Sequence, residues 1–193
     1  MKHIGRKGYH LIGGLGLLSA YYLLGRDRAL LFYVILFIIV LAVDGARLVV
    51  PAWNRLIFSR FSSFVRAKEE NTLTGTPAYV LGVGLSLYLY APNVATAAIC
   101  FLAFGDVSAT AVGERFGRTR IRDKSLEGTL AFIVAAAAAG LALSLAGVYL
   151  PAWIMLLGMF VAAGVELLTL PVNDNLLIPI VSGGVMELAA RFS

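Results

Sequence analysis

Apolar residues run along this chain in long, nearly unbroken stretches, and polar residues gather in the short gaps between them. Seven stretches stand out, at residues 9–25, 29–43, 76–90, 93–113, 125–147, 152–170 and 175–190. Continuous runs without alternation exclude a β-barrel and predict membrane-spanning helices. Several fall short of the ~20 residues that cross a bilayer upright, so flanking residues such as 48–51 are expected to extend them. Ala91-Pro92-Asn93 divides what would otherwise be one overlong run, because proline ends a helix entering it. Pro151 divides the fifth run from the sixth. Between the second and third runs, residues 52–67 interleave Trp53, Leu56, Ile57, Phe58, Phe61 and Phe64 with Arg55, Arg60 and Arg66. That pattern predicts an amphipathic helix lying in the membrane interface.

Composition carries the same message. Of 193 residues, 60% are hydrophobic and 14% charged, too few to clothe a soluble surface. The expected fold is all-α: a polytopic membrane protein of about seven transmembrane helices plus the interfacial helix, in a single domain over residues 1–193. The first run lacks a small-residue cleavage site and leads straight into the second, so no cleavable signal peptide is expected. The lone Cys100 excludes an internal disulfide and a thiolate metal cluster.

Net charge is +5, carried by short loops between the runs, which points to orientation and lipid headgroups rather than nucleic acid. With the N-terminus inside, all but three of the 16 Lys and Arg residues fall on the cytoplasmic side; Arg26, Arg28 and Arg191 are the exceptions. That asymmetry predicts a cytoplasmic N-terminus and an external C-terminus.

The acids are equally one-sided. Asp44, Glu69, Glu70, Asp106, Glu114, Asp123, Glu127, Glu166 and Asp174 all fall at or near the cytoplasmic face. Glu187 stands four positions before Arg191 and is expected to pair with it. Asp106 is the acid hardest to dismiss as a solvated loop residue. It closes an uncharged run that begins at Asn71 and lies about 10 Å inward from Gly113. A carboxylate in such a place costs about 2.5–3.5 kcal/mol on insertion scales unless it has a partner. Arg115, Arg118, Arg120, Arg122 and Lys124 follow it closely. An intramembrane acid beside a dense basic loop points to a metal ion and a polyphosphate.

Helix starts on the same face strengthen that expectation. Ser125 is a candidate N-cap, and Gly128 permits close approach. The third and seventh runs open at Thr74-Gly75-Thr76-Pro77 and Asn173-Asp174-Asn175. Free N–H groups and the positive dipole end favour phosphate at such starts, although ordinary capping explains each one separately. No phosphate-binding Gly-rich loop ending in Gly-Lys-Ser/Thr, no Gly-x-Ser-x-Gly and no His-Glu-x-x-His occurs.

Four blocks together resemble the CTP-dependent lipid-alcohol kinases, the group of dolichol kinase, phytol kinase and the yeast-type diacylglycerol kinase. They are Arg6-Lys7-Gly8-Tyr9-His10; Asp44 to Arg47 running on through Pro51 and Asn54 to Arg66-Ala67-Lys68-Glu69; Gly105-Asp106 with Gly113, Gly117 and Lys124-Ser125-Leu126-Glu127-Gly128-Thr129; and Glu166 with Asn173-Asp174-Asn175-Leu176-Leu177-Ile178-Pro179. The second block is most similar to the diacylglycerol-kinase branch. The third is also similar to phosphatidate cytidylyltransferase, a distant relative that consumes CTP. The segment from Asp123 to Gly128 lacks the Pro and Trp of that enzyme's pattern, which favours a kinase.

The resemblance implies transfer of the γ-phosphoryl of CTP to the hydroxyl of a lipid alcohol, either diacylglycerol or a polyprenol or phytol type, at the cytoplasmic face of a membrane. It implies Mg²⁺ at Asp106 and Asp174, with Glu127 as a third acid. Lys124, Arg120 and Arg122 would hold phosphates, while Ser125, Gly128 and Asn175 orient them. His10, Glu69 and Asp44 are candidate bases for the lipid hydroxyl. CTP:phosphatidate cytidylyltransferase is the alternative enzyme. A small ion transporter using Asp106 is the alternative outside enzymes, and it leaves the crowding of acids and bases on one face unexplained.

Overall fold

A computed structural model describes residues 4–60, 69–168 and 170–193, with side chains from residue 8 onward. Each predicted apolar run carries a helix among the described residues. The chain divides into two compact units, Met1–Gly84 and Leu85–Ser193.

The N-terminal unit opens with α1 (Ile4–Leu24) and α2 (Arg26–Val49). A single residue, Gly25, separates them at φ 78°, a left-handed conformation that only glycine adopts without steric cost. α2 is tied back to α1 by the Tyr33 hydroxyl, which donates to the Leu17 carbonyl at 2.6 Å. After Val50 the chain starts α3 (Pro51–Arg60), with Pro51 at a first-turn position where a missing N–H costs nothing. α3 buries none of its residues, and Trp53 and Leu56 are exposed, as an interfacial helix requires. The remainder of the predicted amphipathic stretch, residues 61–67, lies outside the described residues, as do Arg66 and Lys68 of the second family block. The side chains of Arg6 and Lys7 are likewise outside the description.

α4 (Gly75–Leu89) contains the boundary between the units. Its N-cap is Thr74, whose Oγ1 accepts from the Thr76 N–H at 3.3 Å. The break at residues 90–91 falls where Ala91-Pro92 predicted it, with Pro92 opening the next helix.

The C-terminal unit begins with α5 (Pro92–Cys100), continues through a π-helical turn at Phe101–Asp106, and ends in α6 (Val107–Phe116). These form one continuous helix, Pro92–Phe116, whose most apolar window is largely buried. The hairpin strands β1 (Arg120–Ile121) and β2 (Lys124–Ser125) follow, then α7 (Leu126–Leu145), α8 (Ala152–Leu168) and α9 (Asp174–Arg191). The hairpin is the one departure, among the described residues, from the all-α expectation.

Within this unit α8 packs along α9 and α6 along α7, while the π-helical turn meets α7, α8 and α9. Two glycines make the approach to α7 close. A Cβ on Gly105 would meet the Phe132 ring at 2.6 Å, and one on Gly128 would meet the Ala109 carbonyl oxygen at 2.8 Å. Glu187 is not seen in the expected local pairing with Arg191 but is engaged by the backbone. Its Oε2 accepts from the Ala91 N–H at 2.9 Å, satisfying a backbone group left over at the proline break.

Among the described residues, three helices are long and apolar enough to cross a membrane: Arg26–Val49, Pro92–Phe116 and Leu126–Leu145. α4 and α8, at 15 and 17 residues, are apolar but shorter.

Candidate active site

The site is built on the hairpin that leads into α7. Antiparallel pairing sets Ile121 opposite Lys124 and Arg120 opposite Ser125, leaving Arg122-Asp123 as a two-residue turn. Such tight turns favour a positive φ, and Arg122 takes it at 53°. The pairing fixes the Lys124 backbone immediately before the helix. Ser125 is extended, and its Oγ accepts from the Gly128 N–H at 3.1 Å, the N-cap expected from sequence. The loop is closed from both sides: the Leu126 N–H donates to the Thr119 carbonyl at 3.0 Å, and the Thr119 N–H donates to Glu127 at 3.1 and 3.3 Å.

Lys124 is the centre. Its Nζ lies 2.7 Å from Glu166 Oε1 and 3.2 Å from Asp174 Oδ2. Glu166 Oε2 accepts from Thr129 Oγ1 at 3.4 Å, and Thr129 Oγ1 also donates to the Ser125 carbonyl at 3.2 Å. Asp106, buried at the end of the π-helical turn, acts on the same ammonium. Burial disfavours the charged lysine, but the carboxylates of Asp174, Asp106 and Glu166 outweigh it and hold its pKa above the ordinary value. Because Asp174 opens α9 and Lys124 precedes α7, the ion pair joins two helix N-termini. Asn173 caps α9 by accepting from the Asn175 N–H at 3.0 Å, and the Asn175 side chain is buried just inside.

The structure therefore brings Asp106, Lys124, Ser125, Asp174 and Asn175 into one region of the C-terminal unit. It adds Glu166 and Thr129, to which sequence reasoning gave no site role. The signal for Glu166 was available: like Asp106 it is a carboxylate inside an apolar helix, where an ionisable residue is functional by default.

The other expected residues are engaged elsewhere. Glu127, expected as a third metal acid, is a partly exposed first-turn carboxylate committed to the Thr119 backbone. Arg120 donates to the Gly113 carbonyl at 3.5 Å and Arg122 to the Leu168 carbonyl at 3.3 Å, so both cover helix C-terminal carbonyls from an exposed hairpin.

The three candidate bases lie in the N-terminal unit. The buried His10 ring stacks edge-on with Tyr79 at 4.9 Å, and Tyr79 OH donates to the His10 carbonyl at 2.8 Å. Glu69 is buried. Asp44 has both oxygens occupied: Oδ1 accepts from Arg47 Nε at 2.5 Å, and Oδ2 accepts from the Thr74 N–H at 2.6 Å.

Among the described residues, no group of three His, Cys, Asp or Glu side chains stands ready to hold a metal unaided. Mg²⁺ does not ask for one, because it takes one or two carboxylates and completes its octahedron with substrate phosphate and water. Three carboxyl groups acting on one ammonium supply hard oxygen donors in excess of the local positive charge. The donor set therefore fits that ion.

No family model and no solved structure matches the chain. It is 30% identical over 186 residues to a protein of Eremothecium gossypii named CTP-dependent diacylglycerol kinase 1, across 81% of this chain and 57% of that protein. The protein of the same name from Saccharomyces cerevisiae is 31% identical over 98 residues, across 49% of this chain and 34% of its own length. That from Schizosaccharomyces pombe is 28% identical over 153 residues, across 72% and 70%. The chain resembles the CTP-dependent lipid-alcohol kinases. All three relatives carry the diacylglycerol-kinase name, the branch to which the second sequence block is most similar. The chain spans little more than half of the first of these relatives and a third of the second.

Proposed function

We propose that the chain is a CTP-dependent kinase that transfers the γ-phosphoryl group of CTP to the hydroxyl of diacylglycerol at a membrane surface. The observation that carries this assignment is the Lys124 ammonium, held between Glu166 and Asp174 where α7 and α9 begin. The names of the relatives support CTP as donor and diacylglycerol as acceptor.

Phosphoryl transfer needs positioning and neutralisation of charge more than covalent chemistry. Lys124 supplies a fixed positive charge for the terminal phosphates, and Glu166 positions it. The N–H groups at the starts of α7 and α9 add positive ends of two helices. Ser125 and Asn175 orient the phosphates, and Gly128 lets them approach the backbone. Arg120 and Arg122 add positive charge on the same hairpin, beside the carbonyls they cover. Asp106 and Asp174 would hold Mg²⁺, which supplies neutralisation of the phosphate charge when bound. Glu127 is left to the loop it closes.

The lipid hydroxyl oxygen attacks the γ-phosphorus, the bond from that phosphorus to the β–γ bridging oxygen breaks, and CDP leaves. The hydroxyl proton passes to a base. His10, Glu69 and Asp44 are the candidates for that base, Asp44 already accepting from Arg47 and Thr74. In this reading the seven apolar runs would serve as spans, with the N-terminus and the site on the cytoplasmic side and the C-terminus outside.

The test is which phosphorus reaches the lipid. With purified protein, Mg²⁺ and diacylglycerol, label from γ-labelled CTP is expected in the lipid fraction and label from the α-position is not. Label entering from the α-position, with pyrophosphate released and phosphatidate as acceptor, would replace the kinase with a cytidylyltransferase.

A further inference from the structure

A carboxylate proposed for the metal and the lysine proposed for the phosphates touch one another. Lys124 Nζ lies 3.2 Å from Asp174 Oδ2 and 2.7 Å from Glu166 Oε1, and Asp106 acts on the same ammonium. All four residues belong to the C-terminal unit. Three carboxylates thus face one ammonium, which leaves two negative charges, the charge of one divalent cation. Without the ammonium, three carboxylates would stand together in a largely buried cluster, a costly arrangement.

The two contacts of the ammonium are not equivalent. Glu166 is the inner partner. Its side chain is 3% exposed, and its second oxygen accepts from Thr129 Oγ1 at 3.4 Å. Asp174 is the outer partner. Its side chain is 22% exposed, its contact with the ammonium is the longer one, and its Oδ1 accepts from the Asn175 N–H at 3.1 Å. The hairpin fixes Lys124 at its root, where the residue pairs with Ile121. Beyond that root a lysine carries a point charge on a flexible stem, which moves without the backbone. Leaving Asp174 gives up the longer, wetter contact and keeps the shorter, buried one with Glu166.

A divalent ion on Asp174 and an ammonium on the same oxygen repel each other, and a poorly solvated site screens that repulsion weakly. A phosphate resolves the conflict, because its oxygens accept from the ammonium and coordinate the metal. We propose that Lys124 is a placeholder cation, which neutralises Asp174 in the nucleotide-free chain and exchanges it for nucleotide phosphate when Mg²⁺ and CTP bind, so that metal and nucleotide are taken up together. The inference rests on the kinase reading, with Asp174 as a metal acid and Lys124 as a phosphate cation. It adds an order of events: metal alone is held weakly, because the lysine competes for its ligand.

The test uses the full chain in micelles without a lipid acceptor, and two readouts other than activity. The first is affinity for Mn²⁺ alone, a paramagnetic stand-in for Mg²⁺, measured by electron paramagnetic resonance. Lys124→Met is expected to bind Mn²⁺ alone at least about 10-fold more tightly than the wild-type chain, a modest figure for removing a unit charge beside a divalent ion. CTP should tighten Mn²⁺ binding to the wild-type chain beyond the association of Mn²⁺ with CTP in solution, and do so much less in the variant. The second readout is the Cε resonance of Lys124. The chain has four lysines, Lys2, Lys7, Lys68 and Lys124, so an NMR-active label on lysine Cε gives few signals, and replacing the other three by arginine isolates the one wanted. That signal should stay in place with Mg²⁺ alone and move with Mg²⁺ and CTP together. Should Lys124→Met fail to fold, the resonance decides, since it needs no change at the site. Mn²⁺ affinity no higher in a folded Lys124→Met, a Lys124 signal that moves fully with Mg²⁺ alone, or one that bound CTP leaves in place would overturn the placeholder. A wild-type chain that binds no CTP, with or without Mg²⁺, removes the kinase reading and the placeholder with it, a result seen before any variant is compared.

Discussion

Lys124 Nζ stands 2.7 Å from Glu166 Oε1, a contact between a strand of the basic hairpin and the last turn of α8. Side-chain exposure is 18% for the lysine and 3% for the glutamate, so the pair is largely desolvated. Breaking such a pair by removing one partner costs about 3–5 kcal/mol, because the other is left as an uncompensated buried charge. The pair thus has a structural cost and a proposed catalytic use, and the two can be separated.

Lys124→Met is expected to lower both stability and turnover. Lys124→Met combined with Glu166→Gln should recover part of the stability, since Glu166 is then neutral while Asp106 and Asp174 still lack their cation, but none of the turnover. Thermal melting and CTP-dependent transfer, measured on the same preparations, check this. Recovered turnover in the double variant would make the pair purely structural.

Asp106→Asn and Asp174→Asn change volume little and remove a negative charge each. Both are expected to insert and fold, and to lose γ-phosphoryl transfer by at least about 100-fold, the scale on which removing a charge-stabilising group slows a reaction. Asp106→Asn keeping more than a tenth of wild-type activity would contradict its place in the metal and phosphate site.

The Lys124 pKa is raised above its ordinary value of 10.5 in the folded chain. A group whose folded pKa exceeds its unfolded one stabilises fully below the unfolded value and loses that contribution as pH rises through the folded value. This pair should therefore contribute a constant stability from neutral pH to about pH 10 and lose it only in stronger alkali. Melting temperature against pH should show an alkaline decline that is smaller in the Lys124→Met, Glu166→Gln double variant. An equal decline in both would assign it to other groups.

Reporter fusions test the membrane arrangement. A fusion after Ser193 is expected to report the external side, and one in the hairpin, after Asp123, the cytoplasmic side. A cytoplasmic C-terminus would require an even number of spans in place of seven.

Much of the local structure was legible in the residues themselves. Run length and the absence of alternation mark helices, because an apolar backbone in lipid must satisfy its own hydrogen bonds. Gly25, Pro92 and Pro151 mark where those helices stop, and Ser125 and Asn173 cap the next ones, because these effects act over three or four residues. The acids and bases of one face were visible as a group, and Asp106 as the acid hardest to dismiss as a solvated loop residue. Which of them meet was not visible. Lys124 and Asp174 lie 50 positions apart, and helical periodicity says nothing about which face of one helix turns to another. The π-helical turn that carries Asp106 shifts the helix out of register with its own sequence period, which no spacing rule anticipates. The same holds for Arg47, which reads as one more cytoplasmic charge until Asn54, Glu70 and Thr72 are brought around it. Sequence determined the helices, their ends and the stock of charged groups. Tertiary packing alone decided which charges are desolvated together, and desolvation is what turns a charge near a membrane surface into a site.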